Sequence, residues 1–335
     1  MTHDSHGRKI DYLRISVTDR CNLRCLYCMP DEGVAFKPHS DILSIEEITA
    51  FVEVAATCGI SRIRLTGGEP LVRKGILDLV ANITALPGLE RVAMTSNGIL
   101  LAQMAESLKA AGLKRVNISL DSLDPGQYAA ITRRGRIDDV YAGLEAALAC
   151  GFNPVKVNVV VVRSLHQDLL AFARLSLDRP LHVRFIEYMP VGNPSGANSC
   201  GWTNSDTIPN DEMVEQLDRA SQRFGLGNLI PLNSKHEPEG WGPARYYQLP
   251  GASGTIGFIS ALSRHFCAEC NRLRLTADGK LRPCLFSDTE LDVRAALRAG
   301  DKAAVKAIIQ TALRVKPKEH GNRIGTERNM SQIGG

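Results

Sequence analysis

No apolar run in this sequence approaches the ~18–20 residues that a membrane-spanning helix needs. The opening stretch from Met1 to Ile10 is polar and lacks a signal-type apolar core. The expectation is a cytoplasmic chain with no membrane partner. Charge of one sign is scarce as well, since 40 Lys and Arg stand against 36 Asp and Glu and leave a formal net charge of +4. That surplus is too small to point to nucleic acid, yet it leaves cations for an anionic small molecule. There is no internal repeat beyond an alternation of strand and helix patterns. What the sequence does hold is cysteine, nine in all. In a reducing compartment such thiols serve a metal, catalysis or plain burial. Six fall in two tight groups, while Cys58, Cys150 and Cys200 stand alone and read as buried structural thiols.

With 335 residues, 44% of them hydrophobic, the chain is long enough for one large core or two domains. Short Val- and Ile-rich runs at 13–17, 60–65, 91–95, 116–120, 155–162 and 182–187 read as parallel strands buried on both faces. Amphipathic helices lie between them. One begins at Ser44, where Glu47 completes a capping box, and others cover about 75–86, 100–111, 138–149 and 167–175. Gly59, Gly112 and Gly151 follow three of these helices at the place of a left-handed cap. Repeated β-α units imply an α/β fold with a parallel sheet and right-handed crossovers. Periodicity does not choose between an open sheet and a partial barrel. After Pro190 the pattern changes to a loop, a helix near 211–223, shorter strand-like pieces, and helices at about 291–298 and 302–314. The tail from Lys316 is polar and ends on two glycines, and the expectation from composition is a mobile end.

Cys21, Cys25 and Cys28 follow the first strand with the spacing C-x3-C-x2-C. Three thiolates can hold three irons of a cubane and leave the fourth without a protein ligand. A bidentate amino acid, such as the methionyl end of S-adenosylmethionine, can occupy that corner. Zinc favours four ligands in paired C-x2-4-C units, and a closed electron-transfer cluster wants a fourth cysteine. Gly67, Gly68, Glu69 and Pro70 follow the second strand. On its own that is a tight turn, but glycine also permits close approach of bare backbone to a ligand. Thr95 and Ser119 close the third and fourth strands, where α/β folds place ligand-binding groups, although isolated polar residues there are commonly plain turn residues. The second group, Cys267, Cys270 and Cys284, has the spacing C-x2-C-x13-C. By spacing alone, with His265 beside it, a Cys3His zinc site is the favoured reading.

The segment 266–285, with its Asn271-Arg272-Leu273-Arg274 run, and the segments 14–30, 64–70 and 184–190 resemble the MoaA family of the radical S-adenosylmethionine superfamily. The resemblance extends over essentially the whole chain, and the Gly334-Gly335 end matches as well. It implies an incomplete TIM-type α/β barrel, residues 1–235, followed by a C-terminal α+β domain, residues 236–335, that carries a second iron–sulfur cluster. It implies two 4Fe-4S clusters, one on Cys21, Cys25 and Cys28 and one on Cys267, Cys270 and Cys284. It implies S-adenosylmethionine contacts at Tyr27, Gly68, Ser119 and Met189. GTP contacts are implied at Arg14, Arg64, Thr95, Lys156, Arg272 and Arg274, of which Arg14, Arg272 and Arg274 are the catalytic candidates. The reaction implied is the 3',8-cyclisation of GTP by an adenosyl radical, the first step of molybdenum-cofactor biosynthesis. The partners implied are an external electron donor and a downstream cyclic pyranopterin monophosphate synthase, with the enzyme a monomer or homodimer.

Charge chemistry supports the GTP contacts independently, because a triphosphate needs several cations and Arg offers a rigid fork for phosphate oxygens. The alternative for Arg14, Arg64 and Lys156 is pairing with Asp19, Glu69 or Asp121, and Arg184 divides evenly between pairing and GTP contact. Met189 by composition is a core residue. Two other functions remain in view. A peptide-modifying radical enzyme usually carries more C-terminal cysteines than the three here. An iron–sulfur carrier or zinc-structured binding module is disfavoured by the Gly-Gly-Glu-Pro turn and the Arg run. For the glycine-ended tail the resemblance implies a segment that reaches into the active site.

Overall fold

A strand whose odd positions are apolar and whose even positions are polar must separate two environments. The computed structural model, which describes residues 2–192, 202–233, 236–321 and 326–334, shows six such strands side by side and parallel: β1 (Tyr12–Ser16), β2 (Arg62–Thr66), β3 (Arg91–Ser96), β4 (Arg115–Ser119), β5 (Val155–Val161) and β6 (Leu181–Glu187). Leu13, Ile15, Ile63, Leu65, Met94, Val116, Ile118, Val157 and Val183 belong to the apolar core. Arg14, Arg64, Thr95, Asn117, Ser119, Lys156, Asn158 and Arg184 occupy the alternate positions and line a cavity. The strands are therefore not apolar on both faces, as their Val and Ile content suggested. One face packs on helices and the other surrounds a polar chamber.

The C-terminal part of the chain extends this same sheet at both ends. It supplies β7 (Ile230–Pro231), β8 (Arg245–Gln248), β9 (Thr255–Ile259), β10 (Arg272–Leu275), β11 (Lys280–Arg282) and β12 (Leu291–Asp292). β9 pairs parallel with β6 and β10 pairs parallel with β1, while β7–β8–β9 and β10–β11–β12 are antiparallel. The order β12-β11-β10-β1-β2-β3-β4-β5-β6-β9-β8-β7 does not close on itself, as expected of an incomplete barrel.

The helices are α1 (Ile45–Thr57), α2 (Ile76–Thr84), α3 (Leu101–Ala110), α4 (Pro125–Thr132), α5 (Ile137–Ala149), α6 (Leu169–Arg174), α7 (Asn210–Arg223), α8 (Arg294–Arg298), α9 (Lys302–Arg314) and α10 (Met330–Ile333). The capping box at Ser44 and Glu47 forms at the start of α1. Gly59, Gly112 and Gly151 all take left-handed φ angles after α1, α3 and α5. Two expectations needed correction. The predicted helix at 291–298 is a short edge strand followed by α8, since Leu291 pairs with Leu281. Where it is described, the tail from Lys316 is packed rather than loose: Lys316, Thr326, Ser331 and Ile333 are buried. Among the lone cysteines, Cys58 is buried and Cys150 is half-buried, and Cys200 lies outside the described residues. No helix among the described residues is long and apolar enough to cross a membrane.

Candidate active site

Strand register sets the site. Arg274, Arg14 and Arg64 are partners across β10, β1 and β2, so three guanidiniums stand in a row on the inner face. Thr95, Asn117 and Lys156 align across β3, β4 and β5, and Asn158 aligns with Arg184 across β5 and β6. One cavity of about 350 Å³ is lined by all of these together with both cysteine triplets. Tyr27, Gly68, Ser119 and Met189 line it too, as does Arg272. Every site residue expected from the sequence thus reaches a single chamber.

The first triplet sits on the loop after β1, at the C-terminal ends of the strands. The turn after β2 holds that loop by backbone hydrogen bonds, with Gly68 N donating to Thr18 O and Glu69 N to Arg20 O, both at 2.8 Å. The two glycines are needed for this contact. A Cβ on Gly67, whose φ is +148, would stand 2.6 Å from Thr18 O, and one on Gly68 would stand 2.1 Å from Arg20 O. The missing side chains therefore make room for the protein's own cysteine loop, a reason different from the close ligand approach that the motif alone suggests. From the other side Arg133, itself in the left-handed region at φ 61, donates to Arg24 O at 3.2 Å and Met29 O at 3.3 Å.

The acids near this loop have partners that are not the cavity cations. Glu69 accepts from Ser96 Oγ at 2.8 Å, from Asn97 N at 2.7 Å and from Leu71 N at 3.0 Å. Asp121 accepts from Tyr27 Oη at 2.5 Å and from Val160 N at 2.8 Å. Asp19 accepts from Lys37 N at 3.2 Å. Burial pushes Glu69 up to about 7 and Asp121 up to about 6, with those hydrogen bonds pulling the other way. The three thiols are also raised, chiefly by burial, Cys21 to about 11 and Cys28 to about 12, with Cys25 well above its ordinary value. They are free of disulfides and line one cavity from one loop, a donor set that fits an iron–sulfur cluster with one corner open.

The second triplet enters from the opposite side of the chamber's lining. Cys267 and Cys270 precede β10, and Cys284 follows β11. Lys316 Nζ donates to Arg272 O at 2.8 Å and Pro283 O at 2.6 Å, which ties the tail across this triplet. Burial raises the Cys270 thiol, but Lys316 and Arg272 outweigh it and hold the thiol below its ordinary value. His265, the fourth ligand of the zinc reading, turns Nε2 to Glu319 at 3.8 Å and stacks edge-on with His320.

Between the triplets, Arg64, Lys156 and Arg184 lean on neutral groups. Arg64 Nε donates to Tyr12 Oη at 2.6 Å and its Nη1 to Thr95 Oγ1 at 3.3 Å. Lys156 Nζ donates to Tyr246 Oη at 3.0 Å, and Arg184 Nε to Asn158 Oδ1 at 2.9 Å. Arg184 therefore does not resolve into an acid pair. Burial lowers Lys156 to about 6, helped by Arg184, Arg64 and Arg115. Tyr12 is raised by burial, yet Arg64, Arg14 and Arg272 outweigh this and bring it down to about 7. A buried chamber with so many cations suits a polyanion. Asn117 and Arg115, which also line it, follow the same alternation as Arg14 and Arg64 and could have been read from it. Trp241, which also lines it, had no sequence signal.

Gly334 brings the tail to two of the arginines that line the chamber. Its carbonyl accepts from Arg274 Nη1 at 2.6 Å and from Arg14 Nε at 3.3 Å. Gly335 lies outside the described residues.

Comparison with known proteins agrees with this geometry. The profile of the family described as "Radical SAM superfamily" matches residues 15–175, and that described as "Molybdenum Cofactor Synthesis C" matches residues 181–322. The chain is 48% identical to a GTP 3',8-cyclase of Pelotomaculum thermopropionicum over 336 residues, covering 99% of both. It is 50% identical to the GTP 3',8-cyclase of Moorella thermoacetica over 336 residues, again covering 99% of both. Among solved structures, Streptococcus suis SuiB bound to S-adenosylmethionine superposes with a TM-score of 0.59 at 14% identity, over 90% of this chain and 68% of that one. The protein anSMEcpe with bound AdoMet gives 0.60 at 14% identity, over 93% of this chain and 82% of that one. These two share the fold.

Proposed function

Because this chain belongs to the GTP 3',8-cyclase family of radical S-adenosylmethionine enzymes, we propose a division of labour among its residues for that family's reaction. The enzyme converts GTP into (8S)-3',8-cyclo-7,8-dihydroguanosine 5'-triphosphate at the start of molybdenum-cofactor biosynthesis. The observation that carries the site assignment is the single cavity lined by both cysteine triplets and the row Arg274, Arg14, Arg64.

Cys21, Cys25 and Cys28 hold the cluster that serves S-adenosylmethionine, and Cys267, Cys270 and Cys284 hold a second 4Fe-4S cluster. Bound to Cys21, Cys25 and Cys28, such a cluster would supply the electron for cleaving the sulfonium bond, since low-potential iron–sulfur centres reach about −700 mV. Tyr27, held by Asp121, forms one wall of the S-adenosylmethionine site, and Gly68, Ser119 and Met189 complete it. Arg14, Arg64, Thr95, Lys156, Arg272 and Arg274 bind GTP. Their charges hold the triphosphate so that the ribose lies between the two triplets, and Arg14, Arg272 and Arg274 keep it there through the reaction. Residues 1–235 form the partial barrel with the first triplet and the contacts Arg14, Arg64, Thr95 and Lys156, and residues 236–335 add the second triplet with Arg272 and Arg274. The finer setting rests on family likeness: a cytoplasmic enzyme, monomer or homodimer, fed by an external electron donor and passing its product to a cyclic pyranopterin monophosphate synthase.

The test is anaerobic turnover with GTP, S-adenosylmethionine and a strong reductant. The expected products are 5'-deoxyadenosine and the cyclised nucleotide, from protein holding about eight irons per chain. Cys25→Ser is expected to lose 5'-deoxyadenosine while keeping about half the iron. Full cleavage in that variant would overturn the assignment of the first triplet, and one zinc in place of the second four irons would overturn that of the second.

A further inference from the structure

The N-terminal ends of the parallel strands are covered by a segment with no assigned role. Tyr12 opens β1, Arg91 opens β3 and Arg115 opens β4, and residues 239–241 touch all three. The indole of Trp241 meets Tyr12 edge-on, with ring centroids 5.6 Å apart. The guanidinium carbons of Arg64 and Arg115 each lie 5.4 Å from its ring, so one indole serves two cations. Glu239 pairs with Arg91 at 3.2 Å and also with Arg115, while its side chain stays 60% exposed. Two donors in this cluster are buried and have no partner: Trp241 Nε1 and Arg115 Nη1. Both residues line the same cavity as Arg64 and Lys156.

Buried donors without acceptors are uncommon and costly. Here they coincide with a surplus of cations, and the carboxylate that meets Arg115 belongs to a half-open side chain. Burial, with Arg91 and Arg64 nearby, already pulls Arg115 down to about 10. A phosphate group is acceptor-rich and doubly charged, so it answers both deficits at once.

We propose that Trp241 and Arg115, together with Arg64, form the subsite for the terminal phosphate of GTP, and that Glu239 occupies Arg115 until the triphosphate displaces it. This rests on the reading that the cavity takes GTP and adds to it a means of measuring polyphosphate length. A diphosphate leaves the Trp241 and Arg115 donors unpaired, whereas a triphosphate satisfies them.

The experiment is anaerobic equilibrium binding of GTP and GDP to the cluster-loaded protein and to three variants. W241F keeps a ring between the arginines and removes only the N–H. R115Q keeps side-chain length without charge. Both are expected to weaken GTP about tenfold, toward the affinity of GDP, with GDP unchanged. E239Q is expected to tighten GTP and leave GDP alone. Equal binding of GTP and GDP by the unaltered protein overturns the subsite while leaving the GTP reading intact. So does W241F weakening both nucleotides equally, which would mark Trp241 as a packing residue. Failure of GTP to bind overturns the GTP reading and the subsite with it.

Discussion

At the scale of single residues the chamber behaves as a charge trap, and Lys156 reports on it. Burial and the neighbouring arginines hold its amine near 6, so above that pH the free protein keeps it neutral. A bound triphosphate favours the ammonium form and raises this value. Binding therefore takes up a proton, and GTP affinity falls as pH rises from about 6 toward the ordinary lysine range. Tyr12 adds to the effect with the same sign. Its phenol, held near 7 by three guanidiniums, regains its proton once phosphate neutralises them. Calorimetric titration at about pH 8, where the nucleotide itself is fully ionised, in two buffers of different ionisation enthalpy measures the uptake. Lys156→Met and Tyr12→Phe are each expected to remove part of it. A proton count of zero in the unaltered protein would show that the triphosphate does not reach these two groups. Lys156 was legible as a cation on a strand, but its altered protonation was not, because that depends on Arg184 and Arg115, which arrive from other strands.

Elements were legible where a local rule governs them. The capping box at Ser44, the glycines after α1, α3 and α5, and the Val-rich runs of β1–β6 each have a cause within a few residues. α4 was missed although Asp124 caps it and Pro125 occupies its first turn, because eight residues with little amphipathic contrast leave periodicity nothing to detect. The Gly67-Gly68 turn was recognised, but its physical reason needed the structure. It is a joint between two elements, since the loop bearing Cys21 lies against it with no space for a Cβ. Gly67→Ala places a methyl against Thr18 backbone from a φ of +148, where neither side can give way. The expected cost is about 1–3 kcal/mol, seen as a lower melting temperature. The expected functional result is loss of the first cluster's iron and of S-adenosylmethionine cleavage, with GTP binding retained. Normal iron content and normal cleavage in this variant would mean that the loop and turn are not coupled.

At the scale of the whole molecule, two triplets more than two hundred residues apart share a chamber because β10 lies parallel beside β1, Arg274 next to Arg14. No local pattern in either segment announces that pairing, which is why the motifs identified two sites while only the fold makes them one. The tail has the same long-range character. Arg328 anchors it through Asp278 at 2.9 and 3.0 Å and through Glu290 at 2.7 Å, and the short helix α10 then delivers Gly334 between Ser16, Thr66 and the two arginines. Gly334 has a φ of +70, and a Cβ there would stand 2.8 Å from Thr66 Cγ2, so only glycine fits this end of the tail. Its carbonyl occupies Arg274 and Arg14, the same guanidiniums assigned to GTP, while Ser331 in the same short helix hydrogen-bonds the Cys28 thiol. Gly334 therefore orients the substrate cations, and iron content separates that role from any support that Ser331 gives to Cys28. Gly334→Val is expected to leave iron content and S-adenosylmethionine cleavage intact while the cyclised product falls at least tenfold, because 5'-deoxyadenosine formation becomes uncoupled from GTP. Arg328→Ala, which loosens the same tail without touching the chamber, is expected to give a weaker version of that uncoupling. The ratio of cyclised nucleotide to 5'-deoxyadenosine is the measurement that decides. If it is unchanged in both variants, the hydrogen bonds from Arg274 and Arg14 to Gly334 only fill space; if iron is lost along with product, the tail is a structural brace for the clusters.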